Sequence, residues 1–228
     1  MLRPVRCLWA TALVLVCSLA WGIEREGSSW TDLQKLKPPP PSEISVIVLP
    51  FWAKGQTQSE MVRGAVLLNL RRHGFKVVPD SGTLSGAARA TDKLVDQDRL
   101  REPGARPDRQ LAARVGKAAS AAWAIYGEVE ELRTDVSHGF FADRKTGTID
   151  ARLVLVSVET GDIIYWTRVK GTWGSKVYAR KAGSIERKMA QDAVAAVFED
   201  IGKALPAHEV GPEVSQDDIQ KYIQDMGL

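Results

Sequence analysis

The apolar positions along this chain change their spacing several times, and each change marks an element. From Ile44 to Phe51 the run ISVIVLPF is apolar almost without interruption, the pattern of a strand covered on both faces. After a polar turn, Met61, Val62, Ala65, Val66, Leu68 and Leu70 supply a broad apolar face between Glu60 and His73. That pattern predicts an amphipathic helix with Ser59 as its cap. Arg71 and Arg72 suit the negative end of the helix dipole, Gly74 can take the left-handed conformation that ends a helix, and Phe75 can fold back on the last turn. The basic pair thus needs no ligand to explain it. Phe75 to Pro79 reads as a second strand, reached through a crossover helix and therefore parallel to the first.

Residues 80 to 108 have weak periodicity and are broken by Pro103 and Pro107. They read as a long excursion, at most partly helical, of the kind that carries partner contacts. Arg109 to Ala122 returns to helical character, and Trp123-Ala124-Ile125-Tyr126-Gly127 leads into a strand extending to about Arg133. Thr148 to Val158 and Asp162 to Trp173 are two β-rich segments separated by Glu159-Thr160-Gly161, short enough to demand a hairpin turn. Ser184 opens a last long helix in which Ile185, Met189, Ala193, Val197, Ile201 and Leu205 recur at four-residue steps until Pro206 stops it. The pattern predicts an α/β fold with a mixed sheet: a parallel βαβαβ first half, an antiparallel meander second half, and helices on its faces.

The flanks complete the layout. Arg3 and Arg6 precede an apolar run from Cys7 to Ala20 that ends in Ser18-Leu19-Ala20, so residues 1 to 20 read as a secretory signal peptide cut before Trp21. The run falls short of the roughly 20 apolar residues of a membrane span. Cys17 would carry a lipid if a lipoprotein peptidase cut before it, but Val14-Leu15-Val16 ends in a β-branched residue where such sites take a small one. Both cysteines lie within this leader, so the cut chain has no thiol for disulfides, catalysis or metal binding. Residues 21 to 43, with Pro38 to Pro41 in an extended polyproline stretch, read as a stiff spacer outside the sheet. The α/β domain is then expected over 44 to 205, with a tail over 206 to 228. In that tail Ser215 and Asp218 resemble a capping box, and Ile219, Tyr222, Ile223 and Met226 form a stripe at i, i+3, i+4 and i+7. A helix this short is marginal alone, so it docks on its own domain or orders on a partner. Losing Arg3 and Arg6 brings the 31 basic residues close to the 28 acidic ones, a balance that suggests no nucleic-acid partner.

Linear signatures of chemistry are missing. Gly82-Thr83-Leu84-Ser85-Gly86 lacks the order of a nucleophile elbow. Gly116-Lys117 resembles the end of a phosphate-binding loop, but Leu111 stands where its first glycine belongs. His73, His138 and His208 fall at a helix end, a hairpin tip and a linker, far apart in sequence. Asp96-Gln97-Asp98 lies in a stretch of alternating charges that reads as a solvated face. Glu128 and Glu130 share one face of a strand, where solvent exposure accounts for them. No catalytic residue, metal ligand or cofactor-binding residue is assigned.

Aromatic residues say more. Tyr165 and Trp166 are neighbours on a strand and must point to opposite faces. Phe140 and Phe141 fall at a predicted hairpin tip, where both cannot easily be buried, so they are candidate partner-binding residues together with Ile219, Tyr222, Ile223 and Met226.

Four segments in sequence suggest a family: Val46-Ile47-Val48-Leu49-Pro50-Phe51; Leu70-Arg71-Arg72-His73-Gly74-Phe75; the stretch from Val115 to Val129; and Glu159-Thr160-Gly161-Asp162-Ile163-Ile164-Tyr165-Trp166. Their order and spacing resemble the superfamily that includes the curli-secretion lipoprotein CsgG, the peptidoglycan-synthase activator LpoB and the amino-terminal domain of TolB. The resemblance spans about Ile44 to Leu205. It implies a mixed sheet flanked by helices, a place in the periplasm or at the outer membrane, and a non-enzymatic role in envelope assembly or secretion. The chain departs from that pattern at Cys17, which follows the β-branched Val16 where a lipidation site takes a small residue, and in lacking paired membrane strands of the ~9 to 11 residues a CsgG-like pore needs.

The leading expectation is therefore a protein-interaction module whose partners are envelope proteins, with membrane association only through lipidation or a partner. A second is an oligomeric secretion or outer-membrane accessory component built of several copies of this chain. A third is an enzyme or small-ligand binder whose polar site leaves no linear motif, which a deep cleft with converging polar groups would favour.

Overall fold

The computed structural model describes residues 22–28, 30–78, 108–138, 144–176 and 183–225. Its centre is a seven-stranded mixed sheet. Strand β2 (Ser45–Val48) is the apolar run predicted to be central, and it lies parallel to both β4 (Lys76–Val77) and β5 (Trp123–Ser137). A short strand β3 (Trp52–Ala53) also pairs with β5. Antiparallel pairing carries the sheet from β5 through β6 (Arg144–Ser157) to β7 (Ile163–Lys176). With β1 (Gly22–Gly27) at one edge, the order across the sheet is β1-β7-β6-β5-β2-β4, as a parallel half joined to a meander requires.

The edge strand β1 (Gly22–Gly27) corrects the sequence expectation. Residues 21 to 43 were expected to stay outside the sheet, yet Gly22 to Gly27 pair antiparallel with Thr172 to Thr167. An edge strand needs backbone pairing on one side only, and one apolar residue, Ile23, packs against the core. Arg25 reaches the neighbouring long helix, donating to the Ala196 carbonyl at 2.8 Å and to the Asp200 carboxylate. Helix α1 (Trp30–Lys35) follows and buries Leu33 completely. The prolines from Pro38 onward do lie between elements, with Pro41 opening a short 3-10 turn.

Helix α2 (Gln56–Arg72) begins four residues earlier than the Ser59 cap predicted. Ser59 is inside the first turn, and its buried hydroxyl donates to the Phe51 carbonyl at 2.6 Å. The other end follows the sequence. Gly74 has φ +77°, Gly74 N–H bonds the Arg71 carbonyl and Phe75 N–H bonds the Leu70 carbonyl, each at 3.0 Å, which is a Schellman closure.

Helix α3 (Arg109–Ala118) stops short of the expected Ala122. Ser120 takes φ +54°, Ala121 N–H returns to the Gly116 carbonyl, and Ala122 N–H is already committed to Ser45. The strands are longer than their apolar alternation, because β5 and β6 keep pairing out to Ser137 and Arg144 through polar residues.

The two faces of the sheet are covered unequally. Helix α2, the long α4 (Gly183–Ala204) and the tail helix α5 (Gln216–Asp225) sit on one side with α1. There they enclose Val46, Ile125, Val129, Leu153, Tyr165 and Phe198 in the main core. On the other side α3 alone, among the described elements, packs its Ala112 and Val115 on Ile47, Leu49 and Ala124.

Candidate interaction surface

Strand alternation sends Glu24, Glu26, Tyr126, Glu128, Asp150, Arg152, Trp166, Arg168 and Lys170 to the face that α3 covers only at one side. Tyr165 is buried under the helices while its neighbour Trp166 is half-buried on this face, as their adjacency predicts. The Arg152 guanidinium lies 5.4 Å from the Trp166 ring centroid, a cation–π contact that keeps the indole in place without sealing it from solvent. Burial pushes the Tyr126 phenol above its ordinary pKa.

Arg168 is the hub of this face. Its Nε and Nη2 donate to the two oxygens of Asp150, both at 2.8 Å. The same Nη2 donates to Glu130 at 2.7 Å. Glu130 reaches it because the pairing of β5 with β6 shifts register between Val129 and Glu131, which makes Glu130 the extra residue of a bulge rather than a simple companion of Glu128. The two-pronged bond to Asp150, with Glu130 and Glu26 adding their charge, raises the guanidinium's pKa still further. The carboxylates are therefore held by an arginine, and the arrangement orients charge without activating a group for proton transfer.

Two concavities flank the sheet. A groove between α3 and the β6–β7 turn is lined by Arg109, Arg114 and Lys117 on one wall and Glu159 and Asp162 on the other, and is wide open to solvent. The second is a shallow apolar crevice beside the end of β1. Among the described residues no group of three His, Cys, Asp or Glu is placed to hold a metal ion, and no helix is long and apolar enough to cross a membrane.

The tail corrects part of the site assignment. Ser215 and Asp218 form the predicted capping box: Asp218 Oδ2 accepts from Ser215 N–H at 2.8 Å, and Asp218 N–H donates to Ser215 Oγ at 3.2 Å. The Ser215 N–H and Oγ–H, both donating to Oδ2, hold the Asp218 carboxyl below its ordinary pKa. The helix docks on α2 and α4, and Ile219 and Ile223 belong to the core instead of presenting a partner surface. Tyr222 lies across Gly64, where a methyl group would meet its ring at 2.5 Å, and its hydroxyl donates to Glu60 at 3.3 Å. Glu60 in turn faces the buried Arg63, whose Nη2 donates to the Val48 carbonyl at 3.2 Å. Phe140, Phe141, Met226, Cys17 and nearly all of the 80 to 108 excursion lie outside the described residues.

Sequence reasoning missed one pairing altogether. His73, at the end of α2, and His208, beyond α4, bring their ring nitrogens to 3.1 Å. Arg72 and Gly211 exchange two hydrogen bonds beside them, Gly211 N–H to the Arg72 carbonyl at 2.8 Å and Arg72 Nε to the Gly211 carbonyl at 3.1 Å. Together they fasten the segment after α4 to the end of α2. No local signal announces a contact between residues this distant in sequence.

The fold is thus that of a mixed α/β sheet with helices unequally shared between its faces. No family model matches the chain, and no curated protein matches it. Solved structures similar to it include the PelC dodecamer from Paraburkholderia phytofirmans, at 12% identity and TM-score 0.44, covering 82% of this chain and 99% of that one. Lipoprotein GNA1162 from Neisseria meningitidis is similar at 14% identity and TM-score 0.44, over 70% of this chain and 99% of that one. The LpoB C-terminal domain from Escherichia coli aligns at 15% identity and TM-score 0.33, over 64% and 96%.

Proposed function

We propose that this chain is an exported, non-enzymatic protein-interaction module of the cell envelope, working in envelope assembly or secretion in the periplasm or at the periplasmic face of the outer membrane. The observation that carries the reading is the face of the sheet that the described elements leave partly uncovered. It offers a rigid platform on which Trp166, Arg152 and the Arg168 hub stand in fixed positions, and an aromatic residue flanked by arginines is the composition that protein contacts favour. Phe140 and Phe141, between β5 and β6 in sequence, are proposed as a second contact. The leader pattern of residues 1 to 20 supports export.

A photo-crosslinking residue placed at position 166, and separately at 140, tests the proposal in living cells. Adducts with one or a few envelope proteins, absent when the same residue replaces Glu43 in the turn before β2, are expected. Adducts solely with a second copy of this chain would favour the oligomeric component instead. A platform that yields no adduct at either position would sink the reading.

A further inference from the structure

Helix α3 carries charge that its own fold does not use. Arg109, Arg114 and Lys117 are its cations, and it contains no acid. Asp108, just before it, is spent on accepting the Leu111 N–H at 2.7 Å as the cap. Lys117 suits the negative end of the helix dipole, but Arg109 stands at the positive end, where a cation is unfavourable. Arg109, Ala113 and Lys117 recur at four-residue steps, so with Arg114 beside them the exposed cations spread along one face over about 12 Å.

Across the groove, Glu159 and Asp162 stand exposed on the β6–β7 turn. About 500 Å³ of solvent-filled space separates the walls, and among the described residues none of these five charged groups is joined in an ion pair. The walls are fixed relative to each other. Val158, at the foot of the turn, lies on Gly116 of α3, where an added methyl group would collide with it, and its N–H donates to the Ala122 carbonyl at 3.0 Å. A molecule that neutralises both walls must therefore present an acidic row to α3 and a basic row to the turn.

The groove itself presents those two rows. Turned about a two-fold axis running along the groove, a second copy sets its Glu159 and Asp162 over the first copy's α3, and its α3 over the first copy's turn. That is the self-complementarity a symmetric contact requires. Ala113 and Gly161, lying among the charged residues, add no bulk that would hold the copies apart.

We propose that this groove is a two-fold contact between two copies of the chain. It is a different surface from the Trp166 platform and does not depend on it. Exposed ion pairs are individually weak and are screened by salt, so the association depends on protein concentration and on ionic strength.

Sedimentation equilibrium of the protein purified from cells expressing the full chain provides the test. Self-association is expected at about 20 mM NaCl and should weaken roughly tenfold or more at about 500 mM. Reversing one wall, as Arg114→Glu with Lys117→Glu or as Glu159→Lys with Asp162→Lys, gives the two walls like charge and should leave a monomer. Combining all four substitutions exchanges the walls and should restore the dimer, a rescue that a change in net charge cannot produce. These side chains are exposed, and a melting curve for each variant checks that it folds. A wild-type monomer up to about 1 mM protein at low salt overturns the proposal and leaves the groove to another macromolecule. So does a dimer that the reversed walls leave intact, or one that the exchanged walls fail to restore. Crosslinking from position 166 reads the platform separately.

Discussion

His73 donates to His208, and the direction of that bond is fixed by the carbonyl behind it. His208 Nδ1 lies 2.8 Å from the Pro206 carbonyl oxygen, which can only accept, so in the neutral pair Nδ1 carries the His208 proton and Nε2 accepts from His73 Nδ1–H. His73 is buried, and burial first, then repulsion from a second proton on the His73–His208 pair, then the charge of Arg72, lower its pKa to about 4 from the ordinary 6.5. The folded protein therefore refuses a proton that the unfolded chain takes up below about pH 6.5. The contribution of neutral His73 is complete above that value and is lost as pH falls toward 4, by roughly 3 kcal/mol. Urea unfolding at pH 7, 5.5 and 4.5 should trace this decline, and His73→Gln should flatten it. An equal decline in the variant would refute the assignment.

Core status of the tail helix makes a second outcome. Ile219 is fully buried, so Ile219→Ala should cost about 2–4 kcal/mol in chemical denaturation. A helix waiting for a partner would show almost no loss. Gly64→Ala should also destabilise, because the added methyl meets the Tyr222 ring, and Gly64→Ala with Tyr222→Ala should recover part of that loss through coupling.

Ser120 holds a left-handed conformation that costs a side-chain-bearing residue roughly 1–2 kcal/mol. Replacing it with glycine should raise stability by about 0.5–1 kcal/mol, measured as a shift in the denaturation midpoint. Proline at the same position should do the opposite.

Removing the guanidinium from the sheet face leaves Asp150, Glu130 and Glu26 facing one another. Arg168→Ala is expected to lower stability by about 1 kcal/mol at pH 7, a modest figure because the hub is partly exposed. The deficit should shrink as salt is added, because added ions screen the repulsion among the uncompensated carboxylates. A deficit independent of salt would mean that the arginine acts by packing alone.

Sequence carried the fold where burial and local chemistry agree. The apolar run of β2, the stripe of α4, the Gly74 helix end and the Ser215–Asp218 box are each written in a few neighbouring residues. β1 was hidden because it buries so little: Ile23 is its one apolar inward residue, and Arg25 spends its charge on Asp200 across 175 positions. The outer halves of β5 and β6 were hidden for a related reason, since backbone pairing holds them while their side chains are polar. The His73–His208 contact and the Arg168 hub depend on residues brought together only by the finished sheet. The candidate surface was half legible. Trp166 could be placed opposite Tyr165 by alternation, whereas nothing in the sequence paired it with Arg152.

Because β1 joins β7, the first strand of the sheet finds its neighbour roughly 150 residues further along the chain, a contact of high sequence separation that closes slowly. Until that late strand has emerged, the opening strand has no ladder to complete, and the early part of the chain cannot lock into its final topology. The architecture thus postpones its own closure until the last strand of the sheet is available.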